Sequence, residues 1–204
     1  MKIPLNHRNL LIPETGTEIL LFDELPSTMD YAIGLAKKGA VPWTAVIAHR
    51  QSSGRGTHGR TWFSPESKGL WTSIILPPPV NVTALEDLSL MTAECLAKCL
   101  KKMTGFEFDI KNPNDVVINS GKVAGILFES VTLNGKMSFL ILGMGVNLFQ
   151  NKSEFTIQEL YEASSILLET GIYIDPEELF KEFMIIFRAS YENKILNIKN
   201  GTML

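Results

Sequence analysis

A change in the hydrophobic period near residue 105 constrains the fold of this 204-residue chain more than any other feature. From residue 106 to residue 146, apolar and polar residues alternate, which is the period of a half-buried β-strand. Turn sequences interrupt the alternation at Asn119-Ser120-Gly121 and at Asn134-Gly135, so successive strands must fold back on each other. The pattern predicts an antiparallel meander with strands near 106–110, 115–118, 123–131 and 137–146.

Helical periods lie on both sides of the predicted meander. Before it, apolar residues recur at intervals of three and four. They are Leu88, Met91, Cys95, Cys99 and Met103. This stripe predicts a helix over 84–104 that ends at Gly105. Two helices are predicted after the meander, near 156–170 and 176–194, and Asp175 is the predicted cap of the second.

The N-terminal part of the chain predicts strands near 19–25, 44–48 and 69–76. Between the first two, Ser27 and Asp30 have the spacing of a capping box, in which the serine accepts a backbone N–H and the acid reaches back. The helix that begins there is predicted to end near residue 38. Strands and helices are segregated along the chain, which predicts an α+β fold: a mixed, mainly antiparallel sheet flanked by helices, in one domain over 1–204.

Composition excludes several functional classes. Lys and Arg number 19 against 22 Asp and Glu, a net charge of -3, so no general field attracts nucleic acid, and we expect no DNA partner. The N-terminus lacks an apolar signal region, and no apolar run approaches the roughly 20 residues of a membrane span. Cys95 and Cys99 read as reduced core thiols. These features predict a cytoplasmic protein that does not bind membranes.

A glycine-rich segment, Gly54-Arg55-Gly56-Thr57-His58-Gly59, has the spacing of a dinucleotide-binding motif. That motif requires a helix to begin within it, whereas a segment without helical period and with Pro65 follows here, so a dinucleotide-binding fold is disfavoured. The glycines allow close backbone approach to a ligand, and Arg55 and Arg60 supply positive charge. We expect a mobile loop that closes over an anionic ligand; the alternative is a solvated surface loop.

Two later blocks also combine polar side chains with turns. Lys111-Asn112-Pro113-Asn114-Asp115 ends in oxygen donors suited to Mg²⁺, and Lys122 follows closely. Gly143-Met144-Gly145-Val146-Asn147 indicates close backbone approach at the end of a strand. The alternative interpretations are an ordinary turn for the first block and a bulge or packing contact for the second.

These blocks, in this order, resemble the catalytic domain of the biotin protein ligases, over roughly residues 20–150. Four sequence segments of this family have counterparts here. The glycine-arginine loop corresponds to residues 54–60, followed by Trp62, and Lys-Trp-Pro-Asn-Asp corresponds to residues 111–115. Lys-x-x-Gly-Ile-Leu corresponds to residues 122–127, and Gly-x-Gly-x-Asn to residues 143–147. Ser27, Thr28 and Gln51 also match. The resemblance implies the biotin/lipoate ligase catalytic fold, which is similar to that of class II aminoacyl-tRNA synthetases.

The resemblance also implies roles for individual positions. The residues it assigns to biotin are Ser27, Thr28, Met29, Gln51, Gly54, Arg55, Gly56, Thr57, Lys122, Gly125 and Gly143. Those it assigns to ATP are Arg60, Trp62, Lys111, Asn114, Asp115 and Asn147. Lys122 would contact the biotin carboxylate and the adenylate phosphate, while Arg55 and Arg60 would close over the intermediate as further catalytic residues. Asn114 and Asp115 would hold Mg²⁺.

The implied reaction has two steps and uses ATP, Mg²⁺ and biotin. Biotin would first form biotinyl-5′-AMP, and a lysine of a biotin carboxyl carrier protein would then accept the biotinyl group. The carrier would be a subunit of acetyl-CoA carboxylase or part of another biotin-dependent enzyme. An exposed edge strand of the meander could pair with the carrier or with a second copy of the chain. The alternatives are a non-enzymatic sensor of biotin or adenylate, and a lipoate or octanoate transferase of the same fold.

The chain departs from the family pattern at two positions. Thr57 stands where many members have an arginine, which predicts weaker retention of the adenylate. Asn112 replaces the tryptophan of the signature, which predicts weaker ATP binding. The sequence also shows no N-terminal helix-turn-helix module, and the residues after Asn147 read as helices rather than as the family's C-terminal β-barrel. We therefore expect no operator binding.

Overall fold

The computed structural model describes residues 7–78, 85–111 and 113–199. Its elements, in chain order, are β1 (His7–Ile12), β2 (Thr17–Leu25), α1 (Thr28–Ala36), β3 (Thr44–Gln51), β4 (Gly69–Leu76), α2 (Leu85–Thr104), β5 (Asp109–Lys111), β6 (Asp115–Ile118), β7 (Gly121–Leu133), β8 (Lys136–Asn147), α3 (Lys152–Ile157), α4 (Ile166–Thr170) and α5 (Pro176–Lys199). The chain divides into two compact units, Met1–Pro78 with Phe128–Gly145 and Pro79–Leu127 with Val146–Leu204. The expectation of one catalytic domain over the whole chain stays a prediction.

The first unit contains strands in the order β1-β2-β3-β4-β8-β7. β2 and β3 are parallel, whereas β1 with β2 and β3 with β4 are antiparallel. A parallel pair needs a crossover connection, and α1 supplies it. This helix packs against β3 and β4 and buries Met29, Tyr31 and Ala32. The mixed sheet with a helix on its face confirms the predicted fold class.

The second unit contains strands in the order β7-β6-β5, with α2 and α5 packed against each other. α2 buries Leu88, Cys95 and Cys99 as predicted, while Met91 and Met103 are partly exposed. Burial raises the pKa of the Cys99 thiol to about 12, so this thiol stays protonated.

The aromatic stripe on α5 consists of three fully buried residues, Phe183, Phe187 and Tyr191. The first two rings stack with centroids 5.1 Å apart. The helix starts as predicted, because Asp175 Oδ1 accepts the backbone N–H groups of Glu177 and Glu178. Aromatic side chains at intervals of four residues place their rings on one helix face, and on α5 this face lies in the core.

The predicted helix over 156–170 is wrong. The structure has two short helices there, α3 and α4, separated by residues without helical conformation. Glu159 has a φ of 56°, which a continuing right-handed helix does not allow. Ser165 then begins α4 by accepting the backbone N–H of Leu168. The serine pair at 164–165 therefore acts as a start signal rather than as the interior of one helix.

β1 is the element that the sequence pattern left unassigned. Its residues pair with β2 in continuous antiparallel register, from His7 opposite Phe22 to Ile12 opposite Thr17.

Among the described residues, no helix is both long and apolar enough to cross a membrane.

Candidate functional site

A hydrogen-bond network in the first unit joins the start of α1 to the end of β3. Gln51 Oε1 accepts from the backbone N–H of Thr28 at 2.8 Å and from its hydroxyl at 3.0 Å. Gln51 Nε2 donates to Ser64 Oγ at 2.8 Å, and the Thr28 hydroxyl lies 2.9 Å from Ser73 Oγ. The parallel register pairs Leu25 with Gln51 and so brings two of the predicted biotin-binding residues into contact.

Ser27 begins α1 as predicted, whereas Asp30 has a different partner. Ser27 Oγ accepts the backbone N–H of Asp30 at 3.2 Å, which is the first half of a capping box. The Asp30 carboxylate, expected to reach back toward Ser27, instead accepts from Arg55 Nη1 at 2.6 Å. The capping-box prediction is corrected in this half, because a charged guanidinium is a stronger donor than a backbone amide.

The glycine-rich loop forms a short hairpin. The Gly56 N–H donates to the Arg60 carbonyl oxygen at 2.7 Å, and the Trp62 N–H donates to the Gly54 carbonyl oxygen at 2.8 Å. A single 3-10 turn over Thr57–Gly59 forms the tip. Arg60 then adopts an extended conformation, so no helix begins within the motif. This confirms that the segment is not a dinucleotide-binding motif.

Two glycines of the first unit lie where another segment approaches the backbone too closely for a side chain. A Cβ on Gly54 would lie 2.5 Å from the carbonyl oxygen of Trp62 and 2.8 Å from Ser64 Oγ. A Cβ on Gly145 would overlap the indole ring of Trp62. The close approach predicted for the Gly143–Asn147 block is therefore made at Gly145 by a side chain of the protein itself. The role of Trp62 beside adenine stays a prediction.

Arg55 is bound by two carboxylates in the first unit. Its Nη1 pairs with Asp30 at 2.6 Å, and its Nη2 pairs with Glu129 on β7. No sequence pattern indicated this pairing, since Asp30 was interpreted as part of a capping box and Glu129 as a strand residue. Two negative groups around one positive group leave the cluster with a formal charge of -1. Arg55 therefore anchors the loop, and an anionic ligand must compete with both carboxylates for it.

Arg60 contacts Thr57 across the tip of the loop. Its Nη2 donates to Thr57 Oγ1 at 2.9 Å, and its Nε donates to the Thr57 carbonyl oxygen at 3.3 Å. Arg60 is exposed, and Thr57 and Gly56 are partly exposed. The residue that departs from the family pattern thus orients the second loop arginine.

A bulge in β7 places Lys122 and Asp115 on the same face of a hairpin in the second unit. Asp115 is paired with Gly125 in the register. Two residues later, Val117 is paired with Lys122, so Val123 is an extra residue of β7. Because strand side chains alternate between faces, the extra residue moves Lys122 to the face that carries Asp115. Lys122 Nζ lies 2.7 Å from Asp115 Oδ1, with the side chains only 27% and 20% exposed.

The residues around this ion pair come from the same two motifs. Asn114 Nδ2 donates to the Ile126 carbonyl oxygen at 3.1 Å, and the Ile126 N–H donates to the Asn114 carbonyl oxygen at 2.9 Å. Lys111 is exposed and pairs with Glu162 at 3.3 Å. Asn112 lies outside the described residues, so the effect predicted from its loss of an aromatic ring stays a prediction.

Asn147 is buried at the end of β8. Its Nδ2 donates to the Ser164 carbonyl oxygen, and its Oδ1 accepts from Gln150 Nε2, both at 3.0 Å. Gly143, earlier on the same strand, is partly exposed. The contact of Asn147 with ATP stays a prediction, and the amide keeps one N–H and one acceptor lone pair beyond these two bonds.

Asn114 and Asp115 fit a magnesium ion by the chemistry of their donors. A carboxylate and an amide oxygen are hard ligands. At phosphate-binding sites of proteins, Mg²⁺ usually binds one or two carboxylates together with substrate phosphates and water. In the part of the chain that the structure describes, no group of three or more His, Cys, Asp or Glu side chains is arranged to hold a metal.

The chain is similar to known proteins over most of its length. A model of the biotin/lipoate A/B protein ligase family matches residues 21–147. The bifunctional ligase/repressor BirA of Bacillus subtilis is 32% identical over 178 residues, which cover 87% of this chain and 55% of that protein. The biotin--[acetyl-CoA-carboxylase] ligase of Paracoccus denitrificans is 36% identical over 136 residues, 65% of this chain and 56% of that protein.

Solved structures show the same architecture. The biotin protein ligase from Aquifex aeolicus in complex with biotin and ATP superposes with a TM-score of 0.74 at 28% identity, over 87% of this chain and 71% of that one. This chain spans only about half the length of the curated relatives it matches.

Proposed function

Because this chain belongs to the biotin/lipoate A/B protein ligase family, we propose that it activates biotin with ATP and transfers the biotinyl group to a lysine of a carrier protein. The name of the relative from Paracoccus denitrificans supports this reaction, since that protein is a biotin--[acetyl-CoA-carboxylase] ligase. A similar solved structure holds biotin and ATP. The proposed partner is accordingly a biotin carboxyl carrier protein.

The observation that carries the proposal is the contact between Lys122 and Asp115. These residues belong to two separate motifs, and the bulged hairpin brings their charged atoms to 2.7 Å in a partly buried setting. Asn114 is tied to the same hairpin. A cation and oxygen donors are therefore adjacent, as a reaction at a phosphate requires.

In the first step, a carboxylate oxygen of biotin attacks the α-phosphorus of ATP, and the bond to the β-phosphate oxygen breaks to release pyrophosphate. Two unit charges about 4 Å apart repel by about 4 kcal/mol at an effective dielectric constant of 20. We infer that Lys122 offsets this repulsion by contacting both anions. Lys122 would then exchange part of its contact with Asp115 for contact with the substrates.

In the second step, the carrier lysine attacks the biotinyl carbonyl carbon, and AMP leaves. Until then the mixed anhydride must be protected from water. In the first unit, Arg55 anchors the hairpin loop to Asp30 and Glu129, and Arg60 supplies positive charge at the tip, as protection of an anionic intermediate requires. Asn114 and Asp115 would hold the Mg²⁺ ion, which would supply neutralising charge to the triphosphate during the first step.

The other end of biotin carries a polar ureido ring. Thr28 and Gln51 offer it hydroxyl and amide groups that already form one network, with Ser27 beside them. A ligand there would replace some of these internal bonds with its own, which makes the site specific for a group with matching donors and acceptors.

The proposal is tested by incubating the chain with ATP, Mg²⁺, biotin and a purified biotin carboxyl carrier domain, and measuring the mass of the carrier. We expect the mass increase of one biotinyl group, absent without ATP. Biotin or adenylate binding with an unmodified carrier would instead indicate a sensor. Modification with lipoate or octanoate, and not with biotin, would indicate the transferase alternative.

Thr57→Arg is expected to slow the release of biotinyl-5′-AMP. One added exposed charge contact is worth about 0.5–1 kcal/mol, which corresponds to a roughly two- to fivefold slower release. The measurement is the release rate of radiolabelled adenylate after dilution. Ser52→Arg adds the same charge away from the tip and should release the adenylate at the parental rate. Equal release by the parent and Thr57→Arg would contradict the prediction.

Removal of magnesium is expected to stop adenylate formation. With only one carboxylate and one amide at the proposed site, protein ligands alone bind the ion weakly, so excess chelator should remove it fully. Biotin-dependent exchange of pyrophosphate into ATP measures this step, and added Mg²⁺ should restore it. Exchange that persists in chelator would rule out a metal role for Asn114 and Asp115.

A further inference from the structure

A short segment beyond the family-matched residues forms hydrogen bonds with both backbone polar groups of Lys122. The family match ends at residue 147. The Lys122 N–H donates to the Glu162 carbonyl oxygen at 2.7 Å, and the Ser164 N–H donates to the Lys122 carbonyl oxygen at 2.9 Å. Lys122 thereby forms a parallel bridge with Ala163. We call residues 162–164 the clamp.

The clamp lies beside an irregular part of the ladder between β6 and β7. Lys122 is the second residue of β7 and precedes the extra residue Val123, at which the ladder to β6 is shifted. A bulge locally disrupts ladder hydrogen bonds. The clamp supplies both backbone polar groups of Lys122 with partners on the side away from β6.

The clamp also reaches a second motif residue. The Ser164 carbonyl oxygen accepts from Asn147 Nδ2 at 3.0 Å, and both residues are buried. Ser164 packs tightly against the start of β7 as well, because a Cβ on Gly121 would lie 2.6 Å from Ser164 Cβ. Ser164 is therefore the residue through which the Lys122 and Asn147 motifs are joined.

Glu169 on α4 fixes the clamp to the turn before β7. The Ser164 hydroxyl donates to Glu169 Oε1 at 2.5 Å, and Asn119 Nδ2 donates to Glu169 Oε2 at 3.0 Å. Asn119 has a φ of 49°, a conformation that favours asparagine among side-chain-bearing residues. One carboxylate thus bridges the clamp and the turn that leads into Lys122.

We propose that Ser164 and Glu169 are positioning residues for Lys122: they hold the clamp against the start of β7 and so set the direction of the Lys122 side chain. This inference rests on the proposed function, in which Lys122 contacts the reacting anions. A misplacement of about 1 Å can cost roughly 100-fold in rate, so loss of the clamp acts on the chemical step.

The test compares Glu169→Ala with Glu169→Gln in the full chain. Alanine removes both bonds of the bridge, whereas glutamine keeps an acceptor for Ser164 and can donate to a flipped Asn119 amide. In biotin-dependent pyrophosphate exchange, Glu169→Ala should lower kcat by roughly 10- to 100-fold with the KM for biotin changed less than about twofold, and Glu169→Gln should recover most of kcat. Glu182→Ala, which removes an exposed ion pair with Lys102 in the same unit, should keep the parental kcat.

Amide hydrogen exchange measures the clamp without reference to activity. In the parent, the N–H groups of Lys122 and Ser164 should exchange slowly, and in Glu169→Ala both should exchange at least about tenfold faster while α2 and α5 stay protected. Ser164→Ala provides a second variant with a smaller change if Glu169→Ala does not fold, and its amide hydrogen exchange should change in the same direction.

Unchanged amide hydrogen exchange and unchanged kcat in the alanine variants would overturn the inference, as would a loss of kcat in Glu169→Ala that Glu169→Gln fails to restore. A parent without pyrophosphate exchange would refute the proposed function, and amide exchange would still decide whether the clamp orders Lys122.

Discussion

Lys122→Ala is expected to lower the rate of biotinyl-5′-AMP formation by about 100- to 1,000-fold, the usual cost of removing one positioned group that stabilises a developing anion. The ammonium group is the one cation of the 122–127 motif, and the bulged hairpin holds it beside Asp115. Because the contact with two anions is strongest where charge moves between them, kcat should fall more than the KM values rise. Pyrophosphate exchange at saturating biotin and ATP measures this step.

The stability of Lys122→Ala must be measured alongside its activity. Removal of the ammonium leaves the Asp115 carboxylate without its ion-pair partner at 20% exposure, which should cost about 1–3 kcal/mol, between the values for exposed and buried pairs. Thermal unfolding should still show a folded protein. Lys102→Ala removes an exposed ion pair in the same unit and should keep the parental exchange rate. Near-parental exchange in Lys122→Ala would remove this residue from the mechanism.

Gly54→Ala is expected to destabilise the protein by about 1–3 kcal/mol and to weaken biotin binding at least about tenfold. The new methyl group would lie 2.5 Å from the Trp62 carbonyl oxygen and 2.8 Å from Ser64 Oγ. The Trp62 carbonyl group and the buried Ser64 hydroxyl cannot make room by a side-chain rotation, so the backbone at the base of the loop must move. That movement separates Ser64 from Gln51 and disturbs the network that reaches Thr28.

Gly34→Ala is the matched control for the glycine variant. Gly34 lies in α1 of the same unit, and a Cβ there meets nothing within 4 Å. Its replacement should stabilise the protein by about 0.5–1 kcal/mol, because alanine favours a helix interior. Calorimetric titration with biotin and thermal unfolding measure both variants. Parental biotin affinity in Gly54→Ala would show that the base of the loop does not shape the biotin site.

Local sequence patterns predicted most helices and strands because each depends on a short-range period and a recognisable end. β4 and the capped start of α5 illustrate this. The prediction of one helix over 156–170 was wrong for the converse reason. The helical spacing of apolar residues continues across residues whose backbone is not helical, as the positive φ of Glu159 shows. β1 is short, and its residues are mostly exposed, so it carried no pattern of buried alternation.

The candidate site was predictable to the level of residue type and motif order. Residue chemistry and turn sequences singled out the glycine loop, Lys122 and Asp115, whereas the binding roles of Ser27 and Gln51 came from the resemblance to the biotin protein ligases. The partners of Arg55 were not recognisable, because Asp30 and Glu129 are 99 positions apart in the chain and only the tertiary structure brings both to Arg55.

The order of amino acids alone established most of the secondary-structure elements, the loop, and the cations and oxygen donors of the motifs. What required the folded molecule is which of these face one another. Val123, one extra residue in the ladder, turns Lys122 to the Asp115 face, and a segment some 40 residues later in the chain holds its backbone there. Register and long-range pairing depend on the free energy of the whole sheet and its neighbours, and no local period in the sequence encodes them.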